Sequence, residues 1–100
     1  MKVAFRTRKL QRAYEESDRA IRAYGSEVGR RYIQRINVIK AARSLEDLKI
    51  QRPLRCHELQ GKRAGQWAIN LTDRYRLIFT VSGLEFDVVR VEEVTKHYGD

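Results

Sequence analysis

The sequence predicts an α+β domain: a short N-terminal strand, a two-helix antiparallel hairpin, and a mainly antiparallel sheet on which the hairpin packs. Three observations carry this. Apolar residues recur at helical spacing from Leu10 to Ile39. From Leu54 onward they alternate with polar residues. Turn-forming residues separate the alternating runs. Helices segregated from antiparallel strands settle on one sheet face and leave the other for a partner.

Residues 2–6 (KVAFR) alternate and suit a strand. From Thr7 the period changes. Leu10, Ala13, Tyr14, Ser17, Ile21 and Tyr24 form one helical stripe, which Gly25 ends. Ser26 suits the cap of a second helix, with Val28, Tyr32, Ile36 and Ile39 as its stripe. Gly29 weakens the first turn of that helix. Ser44 to Ile50 reads as one further turn, with Ser44 and Asp47 resembling a capping box. Pro53 then favours extended chain.

The second half alternates. Residues 54–59 (LRCHEL), 66–72 (QWAINLT), 74–81 (RYRLIFTV) and 84–91 (LEFDVVRV) read as strands of a meander. Turns are expected at Asp73 and at Ser82-Gly83. Arg74, Arg76 and Ile78 share the strand face opposite Tyr75, Leu77, Phe79 and Val81. The tail after Val91 reads as short and polar.

A chain of 100 residues fits one domain, spanning 1–100. The net charge of +8 points to a polyanionic partner: RNA, DNA, an anionic membrane or an acidic protein. One cysteine, Cys56, excludes an intrachain disulfide and fits a reducing cytoplasm. The N-terminus has no apolar signal core, and no run is long enough to span a membrane. With one cysteine and two histidines the chain offers no zinc-ligand spacing, so no metal or cofactor is expected.

One stretch asks for chemistry: HELQGKRAGQW, residues 57–67. It sets His57 before a turn with Lys62 and Arg63 held between Gly61 and Gly65. Histidine titrates near neutral pH, so it serves as acid or base. Arginine keeps its charge and grips phosphate through two parallel hydrogen bonds. On their own, His57 reads equally as a structural strand residue and Arg63 as a solvated turn cation.

Taken together, His57 through Ile69 (H-x-L-x-G-x-R-x-G-x-W-x-I) and the strand Tyr75 through Phe79 (YRLIF) resemble the RelE/ParE superfamily of bacterial toxins. The likeness is to its HigB, or plasmid maintenance killer, branch, and the order of elements agrees over essentially the whole chain. The resemblance implies a cytoplasmic toxin encoded beside an antitoxin, and a ribosome-dependent endoribonuclease that cuts translated mRNA. It also implies a helix-turn-helix, HigA-like antitoxin through which operator DNA is reached. ParE relatives share the fold and act on DNA gyrase, so a non-nuclease inhibitor of a protein target is the alternative, together with an inactive RNA-binding module.

Metal-free RNA cleavage needs a base at the 2′-hydroxyl, an acid at the leaving oxygen and cations for the phosphorane. The resemblance implies His57, Arg76 and His97 as catalytic residues. It implies Lys62, Arg63, Arg74, Lys96 and Tyr98 as substrate-binding residues. Glu92 and Glu93 suit general bases by type, but an acidic pair leaving a strand reads as surface solvation. Two departures stand out. Gln60 takes the place of a lysine common in the branch, and the tail Lys96-His97-Tyr98 replaces an Asp-Tyr-His ending. An acidic antitoxin segment is expected on the basic face or on the N-terminal helices, where Arg6, Arg8, Lys9 and Arg12 cluster.

Overall fold

Strand β1 (Lys2–Phe5) opens the computed structural model, which describes residues 1–96. Thr7 then starts helix α1 (Arg8–Glu15): its hydroxyl accepts from the Leu10 amide at 3.2 Å, which satisfies a donor the helix itself cannot.

The stripe that reads as one helix to Tyr24 is two helices. Glu16 is extended (φ −128, ψ 108) and separates α1 from α2 (Ser17–Tyr24). The residues after the break explain it. Ser17 and Asp18 favour a first helical turn over a helix interior, and Asp18 complements the positive end of the new helix. Gly25 (φ 87) closes α2 and leads straight into α3 (Ser26–Ala41). Gly25, rather than Ser26, holds the cap position, and the Ser26 hydroxyl instead accepts from Arg30 Nε at 3.2 Å. Gly29, in the first turn of α3, is buried where α2 and α3 cross, with no room for a side chain.

Helix α4 (Leu45–Lys49) begins at Ser44, whose Oγ accepts from the Asp47 amide at 3.4 Å. The Asp47 carboxylate reaches back past Ser44 to the Arg43 amide at 2.8 Å. Pro53 lies in a 3-10 turn (Arg52–Leu54), and Arg55 after it is left-handed (φ 47, ψ 47). The strand expected over 54–59 therefore shrinks to β2 (His57–Glu58).

A second 3-10 turn (Gly61–Arg63) leads to β3 (Trp67–Asn70), β4 (Tyr75–Ser82) and β5 (Val88–Lys96). The β4–β5 connection is longer than a tight Ser82-Gly83 turn and exposes Leu84 and Phe86. The expected polar tail is also corrected, because β5 runs on to Lys96. The five strands lie in the order β1-β5-β4-β3-β2, with β1 parallel to β5 and every other pair antiparallel.

The helices cover one sheet face. Tyr32, Ile36 and Ile39 of α3 are fully buried in one cluster with Ile69, Leu77, Phe79, Val89 and Val91. Each such side chain contributes about 1.5–3 kcal/mol of burial. The Tyr32 hydroxyl donates to the Leu10 carbonyl at 2.8 Å and ties α3 to α1. The opposite face is not bare: Leu59, Ala68 and Ile78 form a small cluster of their own there.

Candidate functional site

Residues of the HELQGKRAGQW stretch and of β4 form a cleft of about 460 Å³. His57, Glu58, Leu59, Gln60, Arg63 and Arg76 line it. Sequence-predicted residues from separate elements thus meet: His57 from β2, Arg63 from the turn and Arg76 from β4.

The turn explains both glycines. Gly61 (φ 68) and Gly65 (φ 91) adopt left-handed backbone that other residues resist. Nothing lies within 4 Å of a β-carbon placed on either, so conformation and not space requires glycine. Leu59 donates to the Gln66 carbonyl at 2.8 Å and closes the loop at its base.

His57 is exposed, with Nδ1 2.7 Å from the Arg55 carbonyl oxygen. A carbonyl only accepts, so Nδ1 carries the hydrogen. Nε2 is then the nitrogen available for proton transfer. The left-handed Arg55, costly for a residue with a β-carbon, is part of the turn that presents this carbonyl.

Arg76 lies between Asn70 of β3 and Thr95 of β5, on the face away from the helices. Its Nε is buried with no hydrogen-bond partner. A guanidinium nitrogen left unsatisfied is a donor awaiting an acceptor. Arg63 is already engaged: Nη1 donates to Gln66 Oε1 at 3.0 Å and Nη2 to Glu93 Oε1 at 3.1 Å.

The other predicted residues sit elsewhere. Lys62 is exposed on the turn and does not line the cleft. Arg74 precedes β4 instead of sharing its face with Arg76, and lines a separate cleft with Glu27, Arg31 and Asp73. Lys96 ends β5, opposite Tyr75. His97 and Tyr98 lie outside the described residues.

The acidic pair reads from sequence as surface solvation, and for Glu92 the structure corrects this. A bulge in β5 puts Glu93 opposite Ile78 and Val91 opposite Phe79, with Glu92 between them. Glu92 is 5% exposed and accepts from Thr80 Oγ1 at 2.8 Å and from Arg90 Nε at 2.7 Å and Nη2 at 3.1 Å. Burial pushes its carboxyl up. The hydrogen bonds from Arg90 and Thr80 and the charges of Arg90 and Arg6 outweigh that and hold it below the usual carboxylate range. Arg6 also donates to the Glu92 carbonyl at 2.8 Å, so it serves this network rather than the cluster of Arg8, Lys9 and Arg12. Among the described residues, no group of three or more His, Cys, Asp or Glu is placed to hold a metal ion.

A family model described as a RelE-like toxin of the type II toxin-antitoxin system HigB matches residues 3–92. The chain belongs to the HigB-like toxin family. It is a toxin of a type II toxin–antitoxin system. The fold of this HigB-like toxin recurs in solved structures. A YoeB/ParE toxin from Agrobacterium tumefaciens is 20% identical, with a TM-score of 0.64, over 98% of this chain and 100% of that one. A YoeB-YefM complex from Staphylococcus aureus gives 13%, 0.62, 98% and 98% in the same order. YafQ from E. coli strain BL21(DE3) gives 10%, 0.61, 95% and 91%. A search of curated sequences finds no match. No helix among the described residues is long and apolar enough to cross a membrane.

Proposed function

We propose that this toxin is a ribosome-dependent, metal-independent endoribonuclease that arrests translation by cutting mRNA in the cytoplasm. The observation that carries the reading is the convergence of His57, Arg63 and Arg76 on one cleft of the sheet face that the helices leave open. The 2′-hydroxyl of a bound nucleotide attacks the adjacent phosphorus. The bond to the 5′-oxygen breaks, leaving a 2′,3′-cyclic phosphate and a 5′-hydroxyl. His57 transfers a proton through Nε2. Arg76 turns its unsatisfied Nε toward a phosphate oxygen and stabilises the charge that develops there. His97 is the proposed second proton-transfer group. Lys62, Lys96 and Tyr98 are proposed to hold the RNA flanking the cut. Arg74, in a separate cleft, is proposed to meet phosphate farther along the strand.

The proposed partners are the ribosome with its message and a cognate antitoxin, a helix-turn-helix protein of the HigA kind. A YoeB-YefM complex is the relevant precedent among similar folds. The groove lined by Arg8, Lys9, Arg12, Arg19 and Arg22 suits an acidic antitoxin segment. It lies on α1 and α2, and none of its lining residues belongs to the strands that build the cleft.

Induction in a bacterial host beside an Arg76→Ala version, with mapping of mRNA 5′ ends, tests the nuclease. The reading expects new cuts inside translated codons, absent with the variant. Growth arrest with intact message overturns it in favour of a protein target.

A further inference from the structure

The bulge in β5 turns two adjacent carboxylates toward the same side of the sheet, and their surroundings differ. Glu92 is buried and held by Arg90 and Thr80. The Glu93 side chain is 37% exposed and reaches across to Arg63 of the cleft, itself 41% exposed. A carboxylate beside a cleft meant for phosphate repels the ligand unless something else occupies its charge.

We infer that Glu93 is a resident anion: it holds the Arg63 guanidinium at the cleft in the RNA-free protein and yields it to an incoming RNA phosphate. The inference rests on the RNA-cleaving reading and adds to it a residue that sets how tightly substrate binds. Three features support it. Arg63 presents two nitrogens to two acceptors, and the Gln66 contact at 3.0 Å fixes the aim of the guanidinium whatever Nη2 holds. A single Arg–Glu pair that is still partly open to solvent contributes little net stability, so exchanging it is inexpensive. A phosphate then offers the same guanidinium a bidentate, charge-assisted contact, which is stronger. Arg76, with its buried unsatisfied Nε, lines the same cleft with no such need to be released. Glu93 is thus a positioning residue that acts through Arg63. It keeps an aimed arginine from wandering or from capturing stray anions, at a cost in affinity.

The test is binding of a short single-stranded 2′-O-methyl RNA, which lacks the attacking hydroxyl. The proteins are wild type, Glu93→Gln, Arg63→Ala and the double variant, compared across a salt series. Glu93→Gln is expected to tighten binding roughly fivefold at low salt. Its plot of log Kd against log salt should steepen by up to about 0.7, because in the wild type the freed Glu93 takes up a cation as the phosphate releases one. In the Arg63→Ala background the same Glu93→Gln change should alter affinity less than about twofold, because neighbours acting as one unit are non-additive. Unchanged or weaker binding by Glu93→Gln overturns the inference. So does an equal gain in the Arg63→Ala background, which makes Glu93 a general repulsive charge. Mapping mRNA cuts for the wild type in parallel separates the two readings. Cuts without tighter Glu93→Gln binding sink this inference alone. Tighter binding without cuts sinks the nuclease alone. An oligonucleotide that none of the four proteins holds overturns the inference and leaves the cuts to judge the nuclease.

Discussion

Gly29 of α3 lies so close to Ala20 of α2 that a β-carbon on it would sit 2.7 Å from the Ala20 carbonyl carbon. The obstructing atoms are backbone, so they cannot rotate aside. In an exposed helix, replacing glycine by alanine gains about 1 kcal/mol. Here overpacking, which costs typically about 1–3 kcal/mol, wins. Gly29→Ala should lower stability by about 1–2 kcal/mol and the melting temperature by several degrees. Thermal denaturation followed by circular dichroism checks it. A rise in Tm would mean that the two helices separate freely.

Glu92 ties stability to pH. Its carboxyl is held below the usual range, so the folded state favours the charged form and releases its proton more readily than the unfolded chain does. A depressed carboxylate contributes stability that is present above its unfolded value, about 4.3, and lost as pH falls through the lower folded value. Glu92→Gln should therefore cost about 1–3 kcal/mol at pH 7. The gap between variant and wild type should close as pH drops below 4. Urea unfolding at a series of pH values shows whether it does.

Arg76 is expected to separate activity from stability. Its Nε is buried without a partner, so removing the guanidinium relieves an unsatisfied donor while losing only stem packing. Arg76→Ala should change unfolding free energy by less than about 1 kcal/mol. The nuclease reading expects it to abolish growth arrest. Arg76→Lys should not restore arrest, because an ammonium lacks the planar fork. Plating under induction, with Tm measured on the same proteins, tests both halves. Arrest restored by lysine would reduce the residue to a point charge.

Cys56 should be inert. Burial pushes its thiol up to about 11, with the Lys49 charge acting against it and the Glu46 charge with it. Only the thiolate reacts. Native protein at pH 7.5 should be alkylated by iodoacetamide on the order of a hundredfold more slowly than chain unfolded in urea. Equal rates would show that the site opens readily.

Much of this architecture is written in residue spacing, and the failures have particular causes. Tyr75 through Val81 alternates cleanly, and β4 lies almost where it reads. The far end of β5 was obscured because Val91 and Val94 both face the core cluster with two glutamates between them. The bulge that permits this spacing breaks the period of two on which strand reading depends. The break at Glu16 hides inside a stripe whose helical spacing runs on through it, and only Ser17-Asp18 betrays it. His57 and Arg76 were legible as site residues by type and motif. The engagement of Arg63 by Glu93 was not, since 30 positions separate the two. Arg74 misled because alternation was counted from one residue before the strand begins.

The parallel pairing of β1 with β5 sets a timetable for biosynthesis. Lys2 has its partner in Val88, so the first strand made waits for the last. At about 5–20 residues per second that wait is roughly 5–20 s. The strand that carries Arg76 is therefore an unpaired edge until residues 88–96 have been made, and until then Arg63 has no carboxylate from β5 to hold it.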